Sequence, residues 1–429
     1  MTDRYKNSRE MLERALGVIP LGSQTFSKSI THFPKQVSPH FATHGEGSRI
    51  WDVDGNEYLD FVSGLASVLL GYRDKDVDAA VMEQIKNGVT FSLSHELEIE
   101  VAERLTRLIP CAEQVRFGKN GSDVTSAAVR LARASTGRER IAVCGYHGWQ
   151  DWYIGSTTRD LGVPEAVKSL THVFPYNDLE ALEALLADHP GEFAAVIMEP
   201  MNSTMPSDGY LQHAMEASHR HGALFVLDET ITGFRFHTGG AQALFGVTPD
   251  LATFGKGLGN GYPISAIVGR RDIMKLMEEI FFSGTFGGET VSLAAARAVL
   301  DRVERDKIPT ALAEKGAGLR SGIDRIIDAN DLSDVFSLQG HPSWTFLNIA
   351  STAETSAEEL KTLLLQELFG RGILFLGTHN LSAAHSEEDI ETLIATYSEL
   401  LPKLADLART GSVREQLRCE PLKPLFRVR

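Results

Sequence analysis

The stretch Leu251-Ala252-Thr253-Phe254-Gly255-Lys256-Gly257-Leu258-Gly259-Asn260-Gly261-Tyr262-Pro263 places one lysine just beyond a short apolar run, inside a glycine-rich turn. Short apolar runs bounded by turn signals read as buried strands. In an open α/β sheet, the carboxyl ends of the strands line the ligand crevice. An isolated loop lysine is ordinarily a solvated surface residue. The glycines between positions 255 and 261 argue otherwise, because backbone without Cβ atoms lets something bulky come close. A lysine buried by such packing carries a desolvation cost unless its pKa falls or its nitrogen is used covalently. Commitment to a Schiff base meets both conditions.

Working outward, Ala223-Leu224-Phe225-Val226-Leu227-Asp228-Glu229-Thr230 is a second apolar run, ending in two acids. Asp228 either terminates the strand, as many acids do, or faces the same crevice as Lys256. Glu229 is read as a hydrogen-bonding support and Thr230 as packing beneath a ring. Further upstream, Val115-Arg116-Phe117-Gly118-Lys119-Asn120-Gly121-Ser122-Asp123 links a strand to a helix. Free N–H groups at a helix start bind anions, and Gly121 permits close approach. Such a turn is weak evidence alone and gains meaning only beside the lysine and the aspartate. After the next strand comes Tyr146-His147-Gly148-Trp149, where Tyr146 either stacks on an aromatic ligand or packs in the core.

The rest of the chain frames these motifs. Residues 8–16 read as a short helix. Ile50–Val53 and Asn56–Leu59 alternate around Asp54-Gly55, a hairpin with a two-residue turn. From Arg73, apolar runs at Val115–Gly118, Ile141–Gly145, Phe193–Met198, Ala223–Asp228 and Leu251–Gly255 alternate with helical stretches such as Leu179–Ala187 and Leu211–His221. That alternation predicts an α/β fold with a mostly parallel sheet covered by helices on both faces. Beyond Arg302 the pattern shifts to longer charged helices around the strands Val335–Leu338, Thr345–Ile349 and Ile373–Leu376, and Ser386 starts a final helix through Leu401. The expected organisation is residues 1–72 as an N-terminal part of a small α+β domain, 73–301 as a large domain, and 302–429 completing the small one.

Composition narrows the function classes. The 429 residues carry 57 acidic against 42 basic side chains, a net charge of −15. That balance repels nucleic-acid backbones and anionic lipid surfaces, so neither is an expected partner. Cys111, Cys144 and Cys419 are too few and scattered for a disulfide framework or zinc site, and no metal is expected. Met1–Glu13 is polar with charges of both signs, so no signal peptide is expected, and no apolar run nears the roughly 20 residues that span a bilayer. A cytoplasmic enzyme is the expectation. The tail 409–429 is locally basic and carries Phe426 between charges; it either covers a partner subunit or is solvated.

Taken together, Leu227-Asp228-Glu229-Thr230-Ile231-Thr232-Gly233-Phe234-Arg235 followed by Thr253-Phe254-Gly255-Lys256 resembles the class-III pyridoxal-phosphate (PLP) aminotransferases of fold type I. The order of motifs follows that family from about Met11 to Leu401. The resemblance implies that Lys256 holds PLP as a Schiff base and shuttles protons, while Asp228 pairs with the pyridine nitrogen and keeps the ring an electron sink. It implies that Gly121 and Ser122 hold the phosphate, that Tyr146 stacks on the ring, and that Glu199 of Glu199-Pro200 plays a supporting part. Thr285 in Ser283-Gly284-Thr285-Phe286 matches a residue reaching the phosphate of the other subunit, which implies a homodimer with shared sites.

Within the class, the chain resembles most the glutamate-1-semialdehyde 2,1-aminomutases and their aminotransferase relatives. Lys28 stands where the mutases carry a carboxylate-binding arginine, and a lysine lacks the planar fork. His379, in Leu376-Gly377-Thr378-His379-Asn380-Leu381, is the other expected substrate contact, although loop histidines are commonly plain surface residues. Gly287-Gly288-Glu289-Thr290 stands where the family usually has Gly/Ala-Asn-Pro. The expected reaction is ping-pong amino transfer from an amino acid or amino-sugar-like donor to a carbonyl acceptor, with an intramolecular aminomutase as the alternative. A non-catalytic PLP-binding protein fits poorly with an intact Lys256 and Asp228. A dehydrogenase is excluded because no Gly-x-Gly-x-x-Gly opens the first helix of the central domain.

Overall fold

The computed structural model describes residues 3–423; Phe426 and the end of the basic tail lie outside them. The described residues divide into two compact units, one from residues 75–310 and the other from residues 3–74 together with 311–423. The divisions fall at 74/75 and 310/311, where sequence texture suggested 72/73 and 301/302. The second lies inside the continuous helix Ile308–Ala329.

The unit built from the chain ends begins with β1 (Ala42–Glu46), β2 (Arg49–Asp52) and β3 (Glu57–Asp60). The expected hairpin joins β2 to β3, but its loop is Val53–Asn56 rather than a two-residue turn. The reason is the Asp52 side chain, whose Oδ1 accepts from the N–H groups of Asp54 at 2.9 Å and Asn56 at 2.8 Å.

The central unit supplies β4 (Gln114–Gly118), β5 (Arg140–Cys144), β6 (Thr171–Val173), β7 (Phe193–Met198), β8 (Leu224–Asp228), β9 (Leu251–Phe254) and β10 (Ser265–Gly269). They form one sheet in the order β4-β10-β9-β8-β7-β5-β6. All neighbours are parallel except β10, which runs antiparallel to both β4 and β9. Alternation along the parallel strands divides their side chains between two cores. Ile141, Val143, Ala195, Ile197 and Val226 pack with Val124, Ala128 and Leu131 of the helix Gly121–Thr136. Their neighbours Ala142, Cys144, Val196, Met198 and Leu227 pack with Leu182 and Leu211 of the helices Leu179–Asp188 and Tyr210–Arg220. Strands apolar on both sides are thus explained by helices on both faces.

The chain ends add β11 (Phe336–His341), β12 (Trp344–Ile349), β13 (Ile373–Leu374) and β14 (Thr378–Asn380). Strand β13 joins β3 in parallel and completes the sheet β1-β2-β3-β13, whereas β11-β12-β14 is antiparallel. The final helix starts as expected at Ser386, whose hydroxyl accepts from Asp389 N–H at 3.1 Å. It continues past Leu401, through Pro402, to Thr410. Among the described residues, no helix is long and apolar enough to cross a membrane, and no cluster of His, Cys, Asp and Glu is placed to hold a metal.

Candidate active site

Because β5, β7, β8 and β9 are parallel neighbours, the residues that follow them emerge at one edge of the sheet. These are Tyr146 and His147 after β5, Glu199 after β7, Asp228 closing β8, and Lys256 after β9. Strand-end convergence is what a parallel sheet supplies to a ligand site.

Asp228 is buried and its carboxylate is fully engaged. Oδ1 accepts from Thr230 N–H at 3.1 Å, Thr230 Oγ1 at 2.5 Å and Thr253 Oγ1 at 2.9 Å. Oδ2 lies 2.9 Å from His147 Nδ1. Burial alone would raise its pKa; the His147 and Thr230 contacts more than offset that and hold it below the usual carboxylate range. Asp228 is therefore ionised near neutrality, the state needed to keep a ring nitrogen protonated.

Lys256 opens a single 3₁₀ turn, partly buried, with φ of 42°. That left-handed conformation is costly for a residue with a Cβ and persists only where surroundings impose it. Desolvation pushes the amine below the usual lysine range, opposed by Glu199 and Asp228 and reinforced by the buried Arg235. Glu199 is itself pushed up to about 7 by burial, and it accepts from Tyr146 N–H at 3.1 Å. Tyr146 is 51% exposed, so it is not a core residue, and its ring meets that of Tyr153 edge-to-face with centroids 5.6 Å apart.

Gly121 starts the helix Gly121–Thr136, so the N–H groups of its first turn have no intrahelical acceptor. A Cβ on Gly121 would come within 3.1 Å of Thr230 Cγ2, so this turn lies directly against the threonine that holds Asp228. Ser122 Oγ accepts from Trp149 N–H at 3.3 Å. Gly148, with φ of 106°, leaves no room for a Cβ beside that oxygen. An anion-ready helix start, an ionised buried acid, a desolvated amine and an exposed tyrosine fit the phosphate, ring nitrogen, aldehyde and ring of PLP.

Other expectations fare differently. Glu229 is fully buried but turns from the crevice, taking hydrogen bonds from Thr232, Gln242 and the N–H of Ala241. His379 is corrected. It is 0% exposed in β14, its Nδ1 2.9 Å from Thr345 Oγ1 and its Nε2 3.0 Å from the Tyr397 hydroxyl. With both ring nitrogens engaged inside the protein, it has no free edge for a substrate. Lys28 is exposed at the end of the one-turn helix Phe26–Lys28, in the unit of the chain ends. Thr285 is exposed along a cleft of about 1060 Å³ shared with Phe91 and Leu93, apart from the Asp228 network. Nothing local in the sequence marks His147 and Thr253 as partners of Asp228.

Fold and site together define a fold-type-I PLP enzyme. Residues 32–384 match the family described as aminotransferase class-III, and the chain belongs to that family. It is 33% identical to a 3-aminobutyryl-CoA aminotransferase from Cloacimonas acidaminovorans, over 94% of this chain and 99% of that protein. It is 34% identical to a glutamate-1-semialdehyde 2,1-aminomutase from Aquifex aeolicus, over 85% of this chain and 93% of that one. A solved structure of a transaminase with PLP bound superposes with a TM-score of 0.86 at 26% identity, covering 94% of this chain and 99% of that one. The protein is a PLP-dependent aminotransferase.

Proposed function

We propose that Lys256 is the proton-carrying residue of this aminotransferase, held ready by the buried acids around it. The carrying observation is a partly buried amine whose charge is disfavoured by desolvation, directly after a strand paired with the one that ends in Asp228. When bound, PLP supplies an aldehyde that captures the amine and a ring that accepts electrons. Asp228 then keeps a proton on the ring nitrogen, with His147, Thr230 and Thr253 fixing its carboxylate. Gly121 and Ser122 would hold the phosphate at the helix start, Tyr146 would cover the ring, and Glu199 would balance charge beside Lys256. Once an incoming substrate amine takes its place at the aldehyde, the freed and uncharged Lys256 would be placed to take the proton from the amine-bearing substrate carbon and later give it up again. Lys256→Ala should retain the fold and lose turnover; an active Lys256→Ala protein would overturn this role.

For substrate, the reading is a donor whose amine lies β to a carboxyl-derived carbonyl, supported by the near full-length likeness to the 3-aminobutyryl-CoA enzyme. Lys28 is read as a contact for an acidic group of that substrate. Absorbance change of the cofactor should follow addition of β-amino donors ahead of α-amino acids and amino sugars; the reverse order would sink the assignment. A mutase reading is favoured by the Aquifex aeolicus relative. Dependence on an added carbonyl acceptor separates them, since a mutase needs none.

We also infer a homodimer, supported by Phe91, Leu93, Ile99, Phe281 and Phe286, all exposed in the central unit. Thr285 of a second copy would then reach the phosphate. A reducing, cytoplasmic setting is supported by three cysteines that form no disulfide.

A further inference from the structure

Within the unit of the chain ends, a cavity of about 400 Å³ lies against the helix Ala357–Gly370 and β12. None of the residues assigned to the cofactor lines it. Its walls are partly aromatic, through Phe346 and Phe375. Its ionisable lining comes from three separate segments: the ammonium groups of Lys361 and Lys423, the Glu358 carboxylate, and the His32 imidazole, which burial and the neighbouring Lys361 hold below the usual histidine range, leaving it a neutral hydrogen-bonding group. Two lysine ammonium groups thus face one carboxylate, in a chain whose net charge is −15.

Each basic group is positioned. Lys361 is partly buried, and desolvation pushes its amine below the usual lysine range, opposed by Glu358. No ion pair holds that amine among the described residues. A desolvated, unpaired ammonium at a cavity wall is costly unless something fills the cavity with negative charge. The His32 ring is oriented by Thr31 Oγ1, 3.1 Å from its Nδ1. Lys423 is tethered through its neighbour, because Leu422 N–H donates to Thr362 Oγ1 at 2.9 Å on the helix that carries Lys361.

We propose that this cavity binds a phosphate group, free or carried on a small molecule. No arginine lines it, so the planar fork that suits a carboxylate is missing. Lysine acts on phosphate as a point charge, and a tetrahedral anion offers oxygens toward donors arriving from several directions. The aromatic walls leave space for an organic group beside the phosphate, and the volume lies within the roughly 300–1,000 Å³ usual for small-molecule sites.

The test is calorimetric titration of the PLP-loaded enzyme, so that the cofactor's own phosphate site is already filled. Inorganic phosphate and glycerol 3-phosphate are the probes. Wild type and Lys403→Met, an exposed control, should both bind, while Lys361→Met should bind about tenfold more weakly or worse. Melting curves verify that Lys361→Met is folded, and His32→Gln should weaken binding if that variant proves unstable. Tighter binding of the ester assigns an organic phosphate, and tighter binding of the ion assigns free phosphate. The proposal falls if wild type shows no saturable binding, if a folded Lys361→Met binds as well as wild type, or if succinate binds as tightly as phosphate.

Discussion

His147 Nδ1 lies 2.9 Å from Asp228 Oδ2, and both side chains are shut away from solvent. The other ring nitrogen faces the Cys144 carbonyl at 3.2 Å, so the imidazole is wedged between the end of one strand and the acid of another. His147 thereby sets the orientation and charge of Asp228 without needing to touch the cofactor itself.

Replacing His147 by Gln should weaken the grip on the cofactor. A hydrogen bond to a charged group contributes about 1.5–3 kcal/mol, which corresponds to roughly a tenfold to hundredfold change in dissociation constant. Titration of the apoenzyme with PLP, followed by absorbance, measures it directly. An unchanged constant would show that Thr230 and Thr253 hold Asp228 unaided.

Glu199 gives the protein a pH-dependent cost. Its pKa is raised to about 7 in the folded state, against 4.5 for an ordinary glutamate. Between those values the folded chain keeps a proton that the unfolded chain has lost, so stability falls as pH rises from about 4.5 to about 7 and is level above. The loss is on the order of 3 kcal/mol. Glu199→Gln should remove this slope, and melting temperatures of both apoproteins at pH 5 and pH 7.5 would reveal it. A gap between the two proteins that does not widen in favour of the variant would contradict the assignment.

Gly148→Ala should lower both melting temperature and cofactor affinity. The left-handed backbone alone costs about 1–2 kcal/mol for a residue with a Cβ, and the added methyl collides with Ser122 beside the helix start. Normal PLP affinity in a folded Gly148→Ala enzyme would detach Ser122 from phosphate binding.

Glu289 caps the helix Thr290–Arg305, accepting from Val291 N–H at 2.6 Å and Ser292 N–H at 3.2 Å, and pairs with Lys119 at 2.9 Å. Glu289→Ala should cost about 0.5–2 kcal/mol through the lost cap. Lys119→Met should cost less, since partly exposed ion pairs contribute up to about 1 kcal/mol. Urea denaturation of the two variants would rank them; because Glu289→Ala also removes the Lys119 ion pair, a Lys119→Met variant at least as destabilised would mean that the cap adds nothing.

Much of the central sheet was legible because its strands are short apolar runs; the predicted Phe193–Met198 matches the observed strand residue for residue. Asp228 and Lys256 stood out because a strand end and a glycine-rich turn are local signals. What escaped was non-local. Strand β10 follows Pro263 closely and runs against its neighbours, and no local pattern states the direction in which a strand will pair. The partnership of His147 with Asp228 spans 81 residues. His379 reads as a loop residue in the sequence, yet β12 recruits Thr378–Asn380 as a third strand and seals the imidazole inside.

The pairing of β3 with β13 has a consequence for biosynthesis. Leu59 sits opposite Ile373, so one half of that ladder leaves the ribosome roughly three hundred residues before the other. At about 5–20 residues per second, the early half waits for some tens of seconds, during which the whole central sheet can be made. Leu59 and its neighbours spend that interval as an unmatched edge, the period in which a nascent chain of this architecture is most exposed to aggregation and to chaperone capture.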